Sequence, residues 1–305
     1  MPPSPFRMRL PATSANLGPG FDALGLAMAL YLDIEADISG AGAFSIEATG
    51  RNAQACSVIE NNLILMTYMD VLTNAGKLSP RLSLKLHNEI PLGMGCGSSA
   101  AALLAGVLLA NHFGELNWSR QQILEEACRR EGHPDNVAAC FLGGMTVSAM
   151  DEGYVKTATY TENFRWNLLL ALPSASLSTT KARAMLPLHY SREDAVLNIQ
   201  STALLVSSFA LGRGDLLATA MRDRIHQPYR IQACPLLGRL LPLSGTPGFL
   251  GVALSGAGPS VLMVTDRPLS QLLVKIREAA EDPDVEILET TISTGAEFSD
   301  LSEGK

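Results

Sequence analysis

Pro91-Leu92-Gly93-Met94-Gly95-Cys96-Gly97-Ser98-Ser99-Ala100-Ala101 is the stretch on which the fold of this chain turns. Three glycines alternate with larger residues, two serines follow, and a small, apolar run continues to Ala110. Glycine allows tight turns and close approach of the backbone to a ligand. Ser98 or Ser99 can cap a helix, and the run behind them predicts a buried helix to about Phe113. A helix start behind a glycine loop offers free N–H groups and the positive end of the helix dipole, which suits phosphate. The plainer alternative is a glycine-rich turn that lets a strand pack on a helix. Two familiar phosphate loops do not fit. No Lys precedes Ser98, as G-x-x-x-x-G-K-[ST] requires. Gly93, Gly95 and Gly97 are evenly spaced, whereas the dinucleotide fingerprint sets its third glycine three after the second.

Working outward, Arg81 to Ile90 alternates Leu82, Leu84 and Leu86 with polar partners, which predicts a half-buried strand feeding the loop. Phe6 to Pro11, Leu32 to Ile38 and Phe44 to Thr49 read as strands, and Asn61-Asn62-Leu63-Ile64 starts a helix to about Ala75. Ser119 to Gln122 is a capping box opening a helix to Arg130. Met145 to Ala149 and Tyr154 to Tyr160 form a hairpin, and Trp166 to Leu172 is a further strand. Residues 193–211 and 215–225 read as helices. Leu250 to Leu254 leads into a second glycine loop, Ser255-Gly256-Ala257-Gly258-Pro259-Ser260. The strand Val261 to Thr265, a helix from Pro268 to about Ala280 and a strand Val285 to Ile292 follow. A domain boundary is expected near residue 160, dividing the chain into 1–160 and 161–305.

A chain of 305 residues can bury one large core or two ordinary ones. With 47% hydrophobic and 17% charged residues it is globular, and a net charge of −7 argues against a nucleic-acid surface. Cys56, Cys96, Cys128, Cys140 and Cys234 form no CxxC, which fits reduced thiols better than a disulfide framework or a zinc site. Met1 to Arg9 lacks the apolar core of a signal peptide, and no run approaches about 18 apolar residues. The expectation is a cytoplasmic protein with neither nucleic-acid nor membrane partners.

The loop at 91–101 resembles the phosphate loop of the GHMP kinases, the superfamily of galactokinase, homoserine kinase and mevalonate kinase. Four further segments resemble the homoserine kinase branch. Pro11 to Gly25 reads P-A-T-S-A-N-L-G-P-G-F-D-A-L-G, and the resemblance implies that Asn16 and Asp22 reach an amino-acid substrate. E-G-H-P-D-N-V-A at 131–138 implies Glu131 as a magnesium-side carboxylate, with His133 and Asn136 near substrate. Glu125 and Glu126 are rivals for the metal role. S-T-T-K-A-R at 178–183 implies substrate contacts from Thr179 and Arg183. H-Q-P-Y-R at 226–230 implies that Arg230 holds the substrate carboxylate. Taken singly, Arg183 or Arg230 is a solvated surface arginine, and Asn16 and Asp22 only close turns. Asn62 matches a position near adenine in relatives, although as a helix cap it needs no ligand. L-S-G-A-G-P-S at 254–260 resembles the third GHMP motif, which supports the phosphate loop.

The resemblance implies an α+β GHMP fold, with an N-terminal lobe like ribosomal S5 domain 2 that binds ATP and a ferredoxin-like C-terminal lobe. It implies ATP-dependent phosphorylation of the L-homoserine hydroxyl in threonine synthesis, and a homodimer. Backbone N–H groups of 91–101 would bind phosphates, Ser99 (or Ser98) and Glu131 would hold Mg²⁺, and Arg183 would approach the transferring phosphoryl. Asn16 and Asp22 would orient the hydroxyl and amino ends of the substrate. Some relatives place a catalytic carboxylate where Asn136 stands, and an amide cannot accept a proton in that way. Asp135 is expected to point elsewhere, so catalysis rests on positioning and electrostatics. The loop departs from the usual Gly-Arg-Gly-Leu-Gly at Met94 and Cys96, with Cys96 a packed residue or a reactive thiol. Two rivals stand beside this reading: another small-alcohol GHMP kinase of the mevalonate or shikimate type, and a catalytically silent ligand sensor.

Overall fold

The computed structural model describes residues 3–40, 42–161 and 166–300. Two sheets organise it. The first contains β1 (Phe6–Ala15), β2 (Leu24–Ile38), β3 (Ser45–Gly50), β4 (Leu82–Asn88), β5 (Met145–Asp151) and β6 (Tyr154–Tyr160). β1, β2, β4 and β3 are neighbours in that order, and the β5–β6 hairpin joins through β2. The pairings are antiparallel except β3 with β4. β4 shows why the strands sit as they do. Leu82, Leu84 and Leu86 are buried while Lys85 and His87 face out. Each such leucine stabilises the fold by roughly 1.5–3 kcal/mol.

The helices of this half are α1 (Ala53–Cys56), α2 (Leu63–Asn74), α3 (Ser98–Phe113), α4 (Arg120–Glu131) and α5 (Asp135–Leu142). α3 is apolar all round because it is central, packed against α2, α4, α5 and β1. α4 starts at the expected capping box and ends at Gly132 in the left-handed region (φ 89°). The chain therefore turns sharply between α4 and α5, and that turn carries Glu131, His133 and Asp135.

The second sheet runs β10–β7–β9–β8, from β7 (Asn167–Leu172), β8 (Phe249–Leu254), β9 (Val261–Thr265) and β10 (Glu286–Thr290). Its helices are α6 (Thr179–Ala184), α7 (Arg192–Leu211), α8 (Leu217–Ala220), α9 (Gln227–Arg230), α10 (Pro235–Leu240) and α11 (Leu269–Ala280). With α11 between β9 and β10, this is the β-α-β-β-α-β order of a ferredoxin-like lobe. Among the described residues α7 alone is long and apolar enough to cross a membrane by length and composition. It buries Asn198, Ser201, Leu205, Ser208 and Phe209 within the protein.

Three elements differ from expectation. The chain does not stay in the second lobe: β11 (Glu297–Asp300) returns to pair with Phe6–Arg9 of β1. Four residues with one aromatic, Phe298, give no alternation to detect. The helix expected over 215–225 stops at Ala220. Asp223 takes the amides of Ile225, His226 and Gln227, at 2.8, 3.0 and 2.6 Å, and so starts α9 instead. The cap of α3 is Gly97 rather than a serine, and Ser98 and Ser99 are its first residues.

Candidate active site

β4 hands the chain to the glycine loop through Asn88, whose amide donates to the Ile90 carbonyl at 2.9 Å. Gly93, Gly95 and Gly97 all have positive φ, at 70°, 76° and 72°. Alternating left-handed residues turn successive N–H groups into one concavity, the geometry that binds anions. At Gly97 a Cβ would overlap the Thr13 hydroxyl, which is why the cap position is glycine. The loop is held from both lobes. The Thr13 amide donates to the Cys96 carbonyl at 3.0 Å, and the Ser260 amide to Met94 at 3.3 Å. The Ser255 hydroxyl donates to Gly95 at 2.7 Å.

A groove of about 410 Å³ lies on one side of the loop, lined by Cys56, Val58, Asn62, Leu63, Ile90, Leu92 and Ser98 among others. Asn62 caps α2, accepting from Ile64 and Leu65 at 3.1 and 3.3 Å and donating to Val58 at 3.1 Å. It lines the groove with its side-chain polar atoms already engaged.

A cavity of about 170 Å³ lies on the other side, between the lobes. Asn16, Asp22, Glu131, His133, Asn136, Thr179, Arg183 and Arg230 all line it, beside Gly93, Gly95, Gly97, Ser98 and Ser99. Ser98 is shared with the groove, so the glycine loop joins the two spaces. Asn16, in the left-handed region, donates to the Gly256 carbonyl at 2.9 Å and accepts from the Asp22 amide at 3.0 Å. Both ends of its amide are thus committed, and it braces Asp22 rather than presenting a free donor. Asp22 takes two hydrogen bonds from Arg183, at 2.6 and 3.0 Å. Ser99 donates to Glu131 at 3.3 Å. Burial is the main cause that raises the Glu131 pKa. Burial is the largest single effect on His133 and opposes its charge, but the 2.5 Å hydrogen bond to Asp135 together with the charges of Asp135, Asp22 and Glu131 raises its pKa.

Arg230 differs from Arg183. It is 1% exposed and forms no ion pair among the described residues. Its Nε donates to the Ala182 carbonyl at 3.2 Å, and Nη1 lies 3.1 Å from His226 Nδ1 and 3.4 Å from the Gly256 carbonyl. Nη2 makes no hydrogen bond among the described residues. Burial, and then the Arg183 charge, hold its pKa below the ordinary arginine value. Phe21 lies under both guanidinium groups, 5.4 Å from Arg183 and 5.6 Å from Arg230. A buried cation without an acidic partner is costly unless an anion joins it.

The chain matches the GHMP kinases N terminal domain over residues 62–144 and the GHMP kinases C terminal domain over 205–282. It is 48% identical over 263 residues to homoserine kinase of Solibacter usitatus, covering 86% of each chain. It is 42% identical to homoserine kinase of Desulfitobacterium hafniense, covering 84% of this chain and 86% of that one. The chain belongs to the homoserine kinase family of GHMP kinases. Homoserine kinase from Cytophaga hutchinsonii has the same fold, with TM-score 0.80 at 23% identity over 97% of this chain and 98% of that one. L. major mevalonate kinase also shares it, with TM-score 0.69 at 16% identity over 94% of this chain and 96% of that one.

Within this GHMP kinase, the two rival acids sit elsewhere. Glu125 accepts from Gln121 and Val155, and Glu126 pairs with Arg129 and Arg130. The Ser99 hydroxyl in the first turn of α3 and the carboxylate of Glu131, the last residue of α4, are hard oxygen donors and fit Mg²⁺. Asp135 does not point away, as expected, but lines the cavity. As the first residue of α5 it faces back along the 131–134 turn, where one oxygen accepts from His133, the Asn136 amide and the Asn136 side chain. Cys96 is buried, and burial pushes its thiol up to about 12, so it is a packing residue. Thr13 was not singled out by sequence. Its hydroxyl donates to Asn136 Oδ1 at 2.7 Å, a contact across 123 positions that no local pattern marks.

Proposed function

We propose that this chain transfers the γ-phosphoryl group of ATP to the side-chain hydroxyl of L-homoserine, giving O-phospho-L-homoserine for threonine biosynthesis. The observation that carries the reading is the buried Arg230, without an ion-pair partner among the described residues, in a cavity that also holds Asp22 and opens on the glycine loop. An α-amino acid brings a carboxylate for the first and an ammonium for the second.

The N–H groups of 91–101 bind the phosphates, with the base in the groove beside Asn62. Ser99 and Glu131 hold Mg²⁺, which supplies charge neutralisation at the phosphates. Arg183 stabilises the transferring phosphoryl, and it shares Asp22 with the substrate ammonium. Thr179, His133 and Asn136 wall the cavity, and Asn16 fixes Asp22. Asn136 already accepts from Thr13 and cannot take a proton. A loose phosphoryl transfer asks little activation of the hydroxyl, so catalysis rests on alignment and electrostatics. The same proposal has a lobe over 1–160 binding nucleotide, a lobe over 161–305 covering it apart from β11, and a cytoplasmic enzyme. It also includes a homodimer, for which the outward Val196, Ile199, Ala203 and Leu211 of α7 offer an apolar face.

An ADP-release assay across L-homoserine, mevalonate, shikimate and galactose tests the substrate. Release that depends on homoserine and Mg²⁺ is expected. Faster turnover of mevalonate or shikimate, or none of any compound with saturable ligand binding, would sink it.

A further inference from the structure

Behind α9, on the side away from the substrate cavity, lies a second cavity of about 580 Å³. Leu197, Met221, Ile231, Leu241 and Val252 give it an apolar floor. Arg222 and Arg224 line it, both exposed, and their side chains form no ion pair or hydrogen bond among the described residues. Deeper in, the oxygens of Asp223 and Gln227 are already engaged. Asp223 holds three backbone amides, and Gln227 accepts from the Leu254 amide at 2.7 Å. Among the described residues the two guanidinium groups are left without a partner, as are the Gln227 side-chain NH₂ and the Ser244 hydroxyl, so the cavity offers donors and positive charge beside apolar surface.

The walls of this cavity are also the reverse face of the substrate site. Gly18, in the substrate loop, packs so closely on the Met221 backbone that a Cβ there would overlap it. Asp223 lies 3.5 Å from His226 Nε2, which also lies 2.7 Å from the Gly18 carbonyl. His226 Nδ1 in turn contacts Arg230. A ligand seated on Met221 and Gln227 therefore presses on the groups that aim Arg230.

We propose that this cavity is a second ligand site, for a small aliphatic carboxylate, and that its occupancy changes how the substrate carboxylate is read. The apolar floor takes the hydrocarbon end, and the two arginines take the carboxylate, which a guanidinium binds with paired hydrogen bonds. The coupling to homoserine rests on the kinase reading, whereas the binding does not.

The test titrates hexanoate, and hexylamine as its cationic counterpart, into the full chain by calorimetry. Saturable binding of hexanoate and none of hexylamine is expected. Arg222→Ala/Arg224→Ala changes only exposed side chains, so it keeps the fold and basal turnover while weakening hexanoate at least about tenfold. Hexanoate should bind with homoserine present and shift the KM for homoserine by about twofold or more. Equal binding of hexylamine, unchanged affinity in the double variant, or displacement by homoserine would each overturn the site. An unshifted KM with hexanoate bound would overturn the coupling. Should homoserine not be turned over, the binding arms still decide.

Discussion

In the proposed function Arg230 is the group that separates an amino-acid substrate from a simple alcohol, and replacing it with leucine tests that role. Three of its polar contacts are already made, to Ala182, His226 and Gly256, and the longest of these is 3.4 Å. Nη2 has no hydrogen-bond partner among the described residues, and Nη1 can exchange its weak contact for a carboxylate oxygen. The substrate therefore stands to gain one or two charge-assisted hydrogen bonds, each worth roughly 1.5–3 kcal/mol. Since about 1.4 kcal/mol is one decade, Arg230→Leu should lower kcat/KM for homoserine at least about tenfold. Arg230→Lys should recover only part, because an ammonium lacks the paired geometry. ATP affinity measured without homoserine should hardly change. 3-Aminopropanol, which lacks the carboxylate, should be poor with the wild type and no poorer with Arg230→Leu. Steady-state kinetics on both compounds, with thermal melts to check folding, decide it. If the alcohol loses as much as homoserine does, Arg230 does not read the carboxylate, and an amino-acid substrate would rest on Asp22 and its brace Asn16.

Other outcomes follow from the same geometry. Glu131→Gln should lose most of kcat. Burial raises the Glu131 pKa above its unfolded value, so the stability linked to its proton is full below the unfolded pKa and is lost as pH rises through the folded one. Metal-free Glu131→Gln should then melt no lower than wild type at neutral pH, and normal turnover would remove Glu131 from the metal site. Gly97→Val should abolish binding of an ATP analogue in calorimetry. The obstacle is Thr13 rather than phosphate, with a left-handed backbone adding about 1–2 kcal/mol, so Thr13→Ala in the same chain should recover part of the melting temperature. Cys56 is half-buried while the other four thiols are buried, so it alone should label in the folded protein. An ATP analogue should slow that labelling several-fold, and unchanged labelling would place the nucleotide outside the groove.

Local chemistry made much of this legible. The alternation of Leu82, Leu84 and Leu86 gave β4, the Ser119–Gln122 box gave the start of α4, and the spaced glycines gave the tight left-handed loop before α3. Motif order gathered eight side chains that do line one cavity. What stayed hidden depends on distant partners. Four residues pairing back to β1 leave no periodic trace. Asp223 ends one predicted helix by capping the next. Asp135 was turned away because neighbouring helical residues do not face each other, yet at the first position of α5 it reaches back to His133.

The glycine loop shows why the site needs both lobes. Its carbonyls at Met94 and Gly95 are held by Ser260 and Ser255, more than 150 positions away in sequence. Gly256 joins the same clamp, its carbonyl taking the Asn16 amide and its N–H donating to Ala15 at 3.1 Å. Gly256 also accepts from Arg230. One short loop thus touches the glycine loop, the brace of Asp22 and the buried guanidinium. If the substrate carboxylate draws Arg230 as proposed, the contact it competes with is the one to Gly256, a neighbour of the Ser255 that supports the glycine loop. The proposed amino-acid and nucleotide sites thus share one structural support, which suits phosphoryl transfer by positioning.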